Sequence, residues 1–310
     1  MTTTVPADAA DPRLPGLLAW AETLVGPCAV AAGDTRLDGR SAVLKLSAAA
    51  GAVYLKVHTT RESWENEVHA TGAWAPAFAG RAPRLLGAAD APALALLLSE
   101  VPGTRMEDTA LTPAQEVAAW RAAGQALAAL HAQGVGPHFG ACLRDGRSAS
   151  EPPITDAVSF VLADLEAWTG GERAALYSPE ERRVIAAARE RAGEFAGEPA
   201  IPCHRDYNPY NWLVDAQGAW AGVIDFEFAW WDVRVAEFSR YPDWENQERP
   251  ALVEALFEGY GRPLTARERR QLWVSEVQYA AAAVAWGCEH SFFGFAAEGR
   301  TALARLSAGV

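Results

Sequence analysis

Residues 201 to 239 read IPCHRDYNPYNWLVDAQGAWAGVIDFEFAWWDVRVAEFS, and no other stretch of the chain narrows the choice of fold as far. Ala200 and Ile201 lead into a polar loop that carries His204, Arg205, Asp206 and Asn211. Two apolar runs follow, 212–214 and 220–224, joined by Asp215-Ala216-Gln217-Gly218. An Asx residue and a glycine between two such runs signal a hairpin, so Asn211 and Asp225 are expected at the same end of it. An Asp, an Asn and a second Asp then surround one point, and two of them offer oxygens suited to a hard cation.

Phosphoryl transfer from a nucleotide asks for such a set. One carboxylate orients the attacking hydroxyl and takes its proton, while a carbonyl oxygen and another carboxylate hold magnesium against the phosphates. The order H-R-D-x-x-x-x-N, a hairpin and then D-F resembles the catalytic and metal loops of protein kinases, here HRDYNPYN and IDFE. IDFE in place of DFG, with the continuation WWDVRVAEFS, is similar to the aminoglycoside phosphotransferase and choline kinase branch of that superfamily. The resemblance implies Asp206 as catalytic base, Asn211 and Asp225 as magnesium ligands, and His204 and Arg205 as supports of the loop. It implies an α+β, bilobal, protein-kinase-like fold, with a small antiparallel-sheet N-lobe over 1–101 and a mainly helical C-lobe over 102–310. ATP (GTP is not excluded) would bind in the cleft with Mg2+.

The upstream sequence fits that frame. Apolar residues at helical spacing (Leu14, Leu17, Leu18, Ala21, Leu24) predict a short helix stopped by Gly26-Pro27, and the segment before it, 1–15, reads as a flexible tail. Strand-like runs over 28–32, 41–46 and 52–58 form an antiparallel meander. Its first turn offers only Gly33, Gly39 and Ser41 to phosphate, with no G-x-G-x-x-G. In AVYLKVH, Val53, Leu55 and Val57 face one side and Tyr54, Lys56 and His58 the other. A helix capped by Thr59 or Thr60 follows, with Glu67 bordering its apolar stripe and Glu65 as a rival. The resemblance makes Lys56 the lysine that grips the nucleotide's α- and β-phosphates and Glu67 its partner. It also places Ser99, Glu100 and Val101 at the purine, read through main-chain atoms. Downstream, Asp232 and Glu237 compete to hold the backbone of the catalytic loop.

From Thr112 the periodicity is helical: a capped helix ending near His131, then 155–168, 179–195, and a C-terminal third whose last helix is expected near 298–306. Aromatic and acidic side chains of this part are candidates for the acceptor site: Glu227, Trp230, Trp231, Asp243, Trp286, Glu289 and Phe292. Such a set suits an amine, a sugar or a base, by stacking or cation–π contact.

Composition removes other classes. Lys plus Arg number 27 against 39 Asp plus Glu, a formal charge of −12, which argues against nucleic acid as a partner and suits a cationic acceptor. No apolar run is long enough to span a membrane, and the N-terminus lacks a basic start and an apolar core, so a secretory signal is not expected. Four scattered cysteines follow no metal spacing, as in a reduced, cytoplasmic enzyme. The expected activity is transfer of the γ-phosphoryl group of ATP to a hydroxyl of an antibiotic, aminoglycoside-like or another natural product, conferring resistance. The alternatives are a metabolic kinase of choline or a similar metabolite, and a catalytically inactive nucleotide-binding module. Either a monomer or a homodimer is compatible with the sequence.

Overall fold

A computed structural model of the chain describes residues 10–37, 41–240 and 249–310. Helix α1 (Leu14–Val25) comes first, and the tail expected over 1–15 is shorter than predicted. Asp11 accepts bonds from the amide and guanidinium of Arg13 at 2.8 and 2.9 Å, and Leu14 is buried. Residues 11–15 are therefore part of the fold, while 1–9 lie outside the described residues, as do Gly39 and Asp243.

Strands β1 (Cys28–Ala32), β2 (Ser41–Ala48), β3 (Gly51–His58), β4 (Leu85–Ala89) and β5 (Leu94–Ser99) form an antiparallel sheet in the order β1-β2-β3-β5-β4. The alternation in β3 decides what each face does. Val53, Leu55 and Val57 join Leu44, Leu46, Ala95 and Leu97 beneath Leu14, Leu17 and Ala21 of α1. The opposite face carries Lys56 and His58 and is covered by helix α2 (Arg61–Ala73), which Thr60 caps by accepting from the Ser63 amide. Trp64 anchors α2: it is fully buried against Leu96 and Leu98, and its indole N–H donates to the Ala95 carbonyl at 3.0 Å. Burying an indole contributes on the order of 4–5 kcal/mol of transfer free energy before ordering costs. Because both faces are covered, Lys56 lies in an interior rather than on a surface.

The rest is mostly helical, around small strand pairings. Strand β6 (Thr104–Arg105) pairs with β8 (Trp212–Val214), which pairs with β9 (Trp220–Val223); β7 (Ile201–Cys203) pairs with β10 (Trp230–Asp232). The helices are α3 (Pro113–His131), α4 (Ala157–Thr169), α5 (Pro179–Glu190), α6 (Pro250–Tyr260), α7 (Ala266–Glu289) and α8 (Phe293–Leu306). Thr112 and Gln115 close a capping box on α3, as their spacing predicts. Helices α3 and α6 touch backbone to backbone. A Cβ on Gly124 would stand 2.0 Å from the Leu256 carbonyl oxygen, and one on Gly259 would stand 1.8 Å from that of Arg121.

Helix α8 begins at Phe293, five residues before the expected 298. Packing overrides the weak local propensity of CEHSFFGF. The Phe292 amide donates to the Gly287 carbonyl at 2.8 Å, and Phe295 rests its ring 5.9 Å from that of Trp286. Gly287 admits the approach, since a Cβ there would meet the Ala296 nitrogen at 2.7 Å. Among the described residues, no helix is long and apolar enough to cross a membrane.

Candidate active site

The loop between β7 and β8 is built on an unfavourable backbone. Arg205 adopts φ +64°, and Asp225, just past β9, adopts φ +71°. For residues with a Cβ each such conformation costs on the order of 1–3 kcal/mol, so the surroundings must hold it. Glu237 does so at the first. Its two carboxylate oxygens accept the amides of His204 and Arg205 at 2.6 and 2.8 Å. Burial disfavours that carboxylate's charge, yet His131 and the His204 amide hold its pKa below the ordinary value. Asp232 instead pairs with the Arg205 guanidinium at 3.1 Å, and that guanidinium lies 3.8 Å above the centre of the Trp230 ring. The choice between Asp232 and Glu237 is thereby resolved by geometry: Glu237 holds the main chain, Asp232 the side chain.

His204 is buried under the rings of Tyr207 and Phe226. Its Nε2 lies 3.1 Å from the Ile224 carbonyl and its Nδ1 accepts the Asp206 amide at 3.3 Å, which assigns the proton to Nε2. The imidazole therefore ties the loop of Asp206 to the segment of Asp225. The Ile224 amide closes the same junction by donating to the Asn211 carbonyl at 3.0 Å.

Asp206 accepts from Asn208 Nδ2 at 2.6 Å, Asn211 Nδ2 at 2.7 Å and Arg240 at 3.2 Å. Burial pushes it above the ordinary carboxylate value, against the pull of Arg240 and His204. With its amide nitrogen on Asp206, Asn211 keeps its side-chain carbonyl oxygen for another partner. Asp225 places Oδ1 2.7 Å from Lys56 Nζ, and its side chain remains about a third exposed. An amide oxygen and a carboxylate at one hairpin end make an all-oxygen donor set, so the residues fit a divalent cation such as magnesium.

Lys56 is the hub of a buried charge cluster. Its Nζ lies 2.8 Å from Glu67, 2.7 Å from Asp225 and 3.1 Å from Glu227. Burial alone would depress its pKa, but the carboxylates of Glu67, Asp225 and Glu227 outweigh that and raise it. Glu67 also meets His58 Nε2 at 2.7 Å, which leaves Glu65 out of the cluster and 3.6 Å from Arg61. Asn66 fastens α2 across the gap, donating to the carbonyls of Glu227 and Ala229 at 3.0 and 2.8 Å. At the end of β5, the Ser99 hydroxyl accepts the Arg84 amide and the Glu100 carboxylate takes Lys45, so both side chains are engaged locally. Val101 is buried.

A cavity of about 440 Å³ opens beside Asp206. Of the residues expected at an acceptor site, Trp230, Trp286 and Phe292 lie on its wall. Glu227 belongs to the Lys56 cluster instead. Trp231 packs edge-on against Trp74, 5.1 Å between ring centres, and Glu289 pairs with Arg173 at 2.6 Å. Sequence reasoning missed other wall residues: Arg240, Asp164, Ser275, Gln278 and Tyr279. Asp164 and Trp168 stand four apart on α4, a spacing that shares a face and was the one legible signal. Burial raises the pKa of Asp164, which accepts from Gln278 at 2.9 Å, and pushes that of Asp232 up to about 7 despite Arg205.

Comparison with known proteins agrees with this architecture. Residues 36–273 match the model of a family described as the phosphotransferase enzyme family. No curated protein matches the sequence. Solved structures share the fold at low identity. Aminoglycoside phosphotransferase APH(4)-Ia superposes with a TM-score of 0.74 at 13% identity, over 95% of this chain and 98% of that one. A thermostable mutant of it in ternary complex with ADP and hygromycin B gives 0.73 at 14%, over 94% and 97%. The GDP and kanamycin complex of APH(2")-IIIa gives 0.64 at 13%, over 94% and 99%.

Proposed function

This chain belongs to the phosphotransferase enzyme family, and from that premise we propose that it transfers the γ-phosphoryl group of ATP or GTP to a hydroxyl of an antibiotic-like natural product. The observation that carries the reading is the placement of Asp206. It lies between the Asn211–Asp225–Lys56 grouping and a cavity of about 440 Å³, a volume suited to one small molecule. Asp206 takes the proton of the acceptor hydroxyl, whose oxygen attacks the γ-phosphorus as the bond to the β–γ bridging oxygen breaks. The products are a phosphate monoester and the nucleoside diphosphate. The upward pKa shift of Asp206 strengthens it as a base.

Magnesium, held by Asn211 and Asp225, would neutralise charge developing on the phosphates. Lys56, kept cationic by its carboxylates, serves the same phosphates, and Glu67 and His58 fix its direction. The segment 99–101 reads the base through its main chain, which supports both nucleotides as donors. The test is ADP or GDP release with magnesium across antibiotics, choline, ethanolamine and sugars. Asp206→Ala is expected to remove transfer by roughly 10²–10⁴-fold while nucleotide affinity stays near that of the wild type. Unchanged turnover in that variant would end the assignment. Magnesium-dependent nucleotide binding without turnover of any acceptor would make the protein a binding module.

A further inference from the structure

The cavity beside Asp206 has a chemical character that the family assignment does not specify. Aromatic rings dominate its wall: Phe160, Trp168, Trp230, Tyr279, Trp286 and Phe295. Several support one another, with Trp286 meeting the edges of Phe292 and Phe295 at 6.1 and 5.9 Å and Tyr279 meeting Phe295 at 6.3 Å. The wall therefore presents ring surfaces that pack against one another.

Two of the three acids on the described wall are already paired with arginines. Among the described lining residues the acids are Asp164, Asp206 and Asp232, and the cations are Arg205 and Arg240. Arg205 holds Asp232 at 3.1 Å and Arg240 holds Asp206 at 3.2 Å. Asp164 accepts a neutral amide, Gln278, at 2.9 Å. A compound carrying several ammonium groups would lose much of its hydration here and meet two guanidinium groups, with Asp164 the one described wall carboxylate not paired with an arginine. One further polar group points to a ligand: Ser275 is buried on this wall, and its hydroxyl has no hydrogen-bond partner. A buried hydroxyl left without a partner costs about 1–3 kcal/mol, which a ligand's polar atom would recover.

We propose that the acceptor is a hydroxylated compound built on an aromatic ring and carrying no more than one positive charge, rather than a polycationic aminoglycoside. This rests on the phosphotransferase reading of the same site. The ring lies among Trp230, Tyr279 and Trp286, a polar substituent meets Ser275 and the Asp164–Gln278 pair, and the reacting hydroxyl faces Asp206.

The experiment uses the full chain with Mg2+-ATP and two sets of probes. Chloramphenicol, uridine and novobiocin are aromatic-ring alcohols with no positive charge; kanamycin and hygromycin B are polycations. ADP release and calorimetric binding are both read. At least one aromatic probe is expected to bind and be phosphorylated with kcat/KM at least tenfold above either polycation. Trp286→Ala is expected to raise the KM for that probe by roughly tenfold, through loss of ring contact. Preference for kanamycin or hygromycin B, or intact nucleotide binding with no aromatic probe bound, overturns the proposal while leaving the phosphotransferase reading in place. Absence of magnesium-dependent nucleotide binding overturns that reading, and the proposal with it.

Discussion

Asp232 shows how one buried side chain sets a measurable slope. Burial pushes its pKa up to about 7 against the attraction of Arg205. The folded protein therefore keeps a proton that the unfolded chain has already released, across the interval from about pH 4 to about pH 7. Stability from this group is fully present below the lower limit and is lost as pH rises through the upper one. The loss is on the order of 2–4 kcal/mol. Asp232→Asn is expected to remove that slope, so the Tm of the variant minus that of the wild type becomes more positive between pH 5 and pH 8. A constant difference would show that Asp232 does not titrate in the folded protein between those limits. At this scale the sequence reveals unevenly. The spacing of His204, Asp206, Asn211 and Asp225 is legible because one hairpin joins them, and the structure does bring the four together. Glu237 against Asp232 was not legible, since both lie one short segment downstream and only the fold shows which oxygen faces the amides. Arg240 and Gln278 gave no signal, because a polar residue on a helix or turn is ordinarily solvated.

Elements were easier to read where local chemistry defines them. The capping box of α3 and the alternation of β3 appear in the structure as their residues predict. The start of α8 does not, because it depends on Gly287 and on ring packing from a helix earlier in the chain. The contact of α3 with α6 is of the same kind, since nothing local to Gly124 or Gly259 announces a partner helix. It is also sensitive. Gly259→Ala would drive a methyl group into the Arg121 carbonyl, a main-chain atom that cannot swing aside. The expected cost is about 1–3 kcal/mol, read as a Tm several degrees lower by thermal denaturation. A wild-type Tm would mean that the two helices separate without penalty.

Across the whole molecule, sheet and helical region meet through charge. Lys56 on β3 reaches Asp225 beyond β9, and Asn66 on α2 reaches the carbonyls of Glu227 and Ala229. A magnesium nucleotide bound at this junction would draw both regions together. Saturation at about a hundred times Kd is expected to stabilise the protein by about 2.7 kcal/mol, visible as a rise in Tm with Mg2+-ATP. Asp225→Ala is expected to lose that rise, and a rise of wild-type size would rule out its metal role. The formal charge of −12 is a property of the whole, and it pointed toward a cationic acceptor. It said nothing of where the acids lie, and on the described cavity wall two of the three are paired with arginines.

The loop of Asp206 and the cavity wall are held by different means. Asp206 stands on a loop fixed by Glu237 through main-chain amides and by a histidine bonded to a main-chain carbonyl. Most of the rings on the cavity wall belong to α4, α7 and α8. A ring on these helices can therefore be exchanged without removing any of the bonds that fix Asp206.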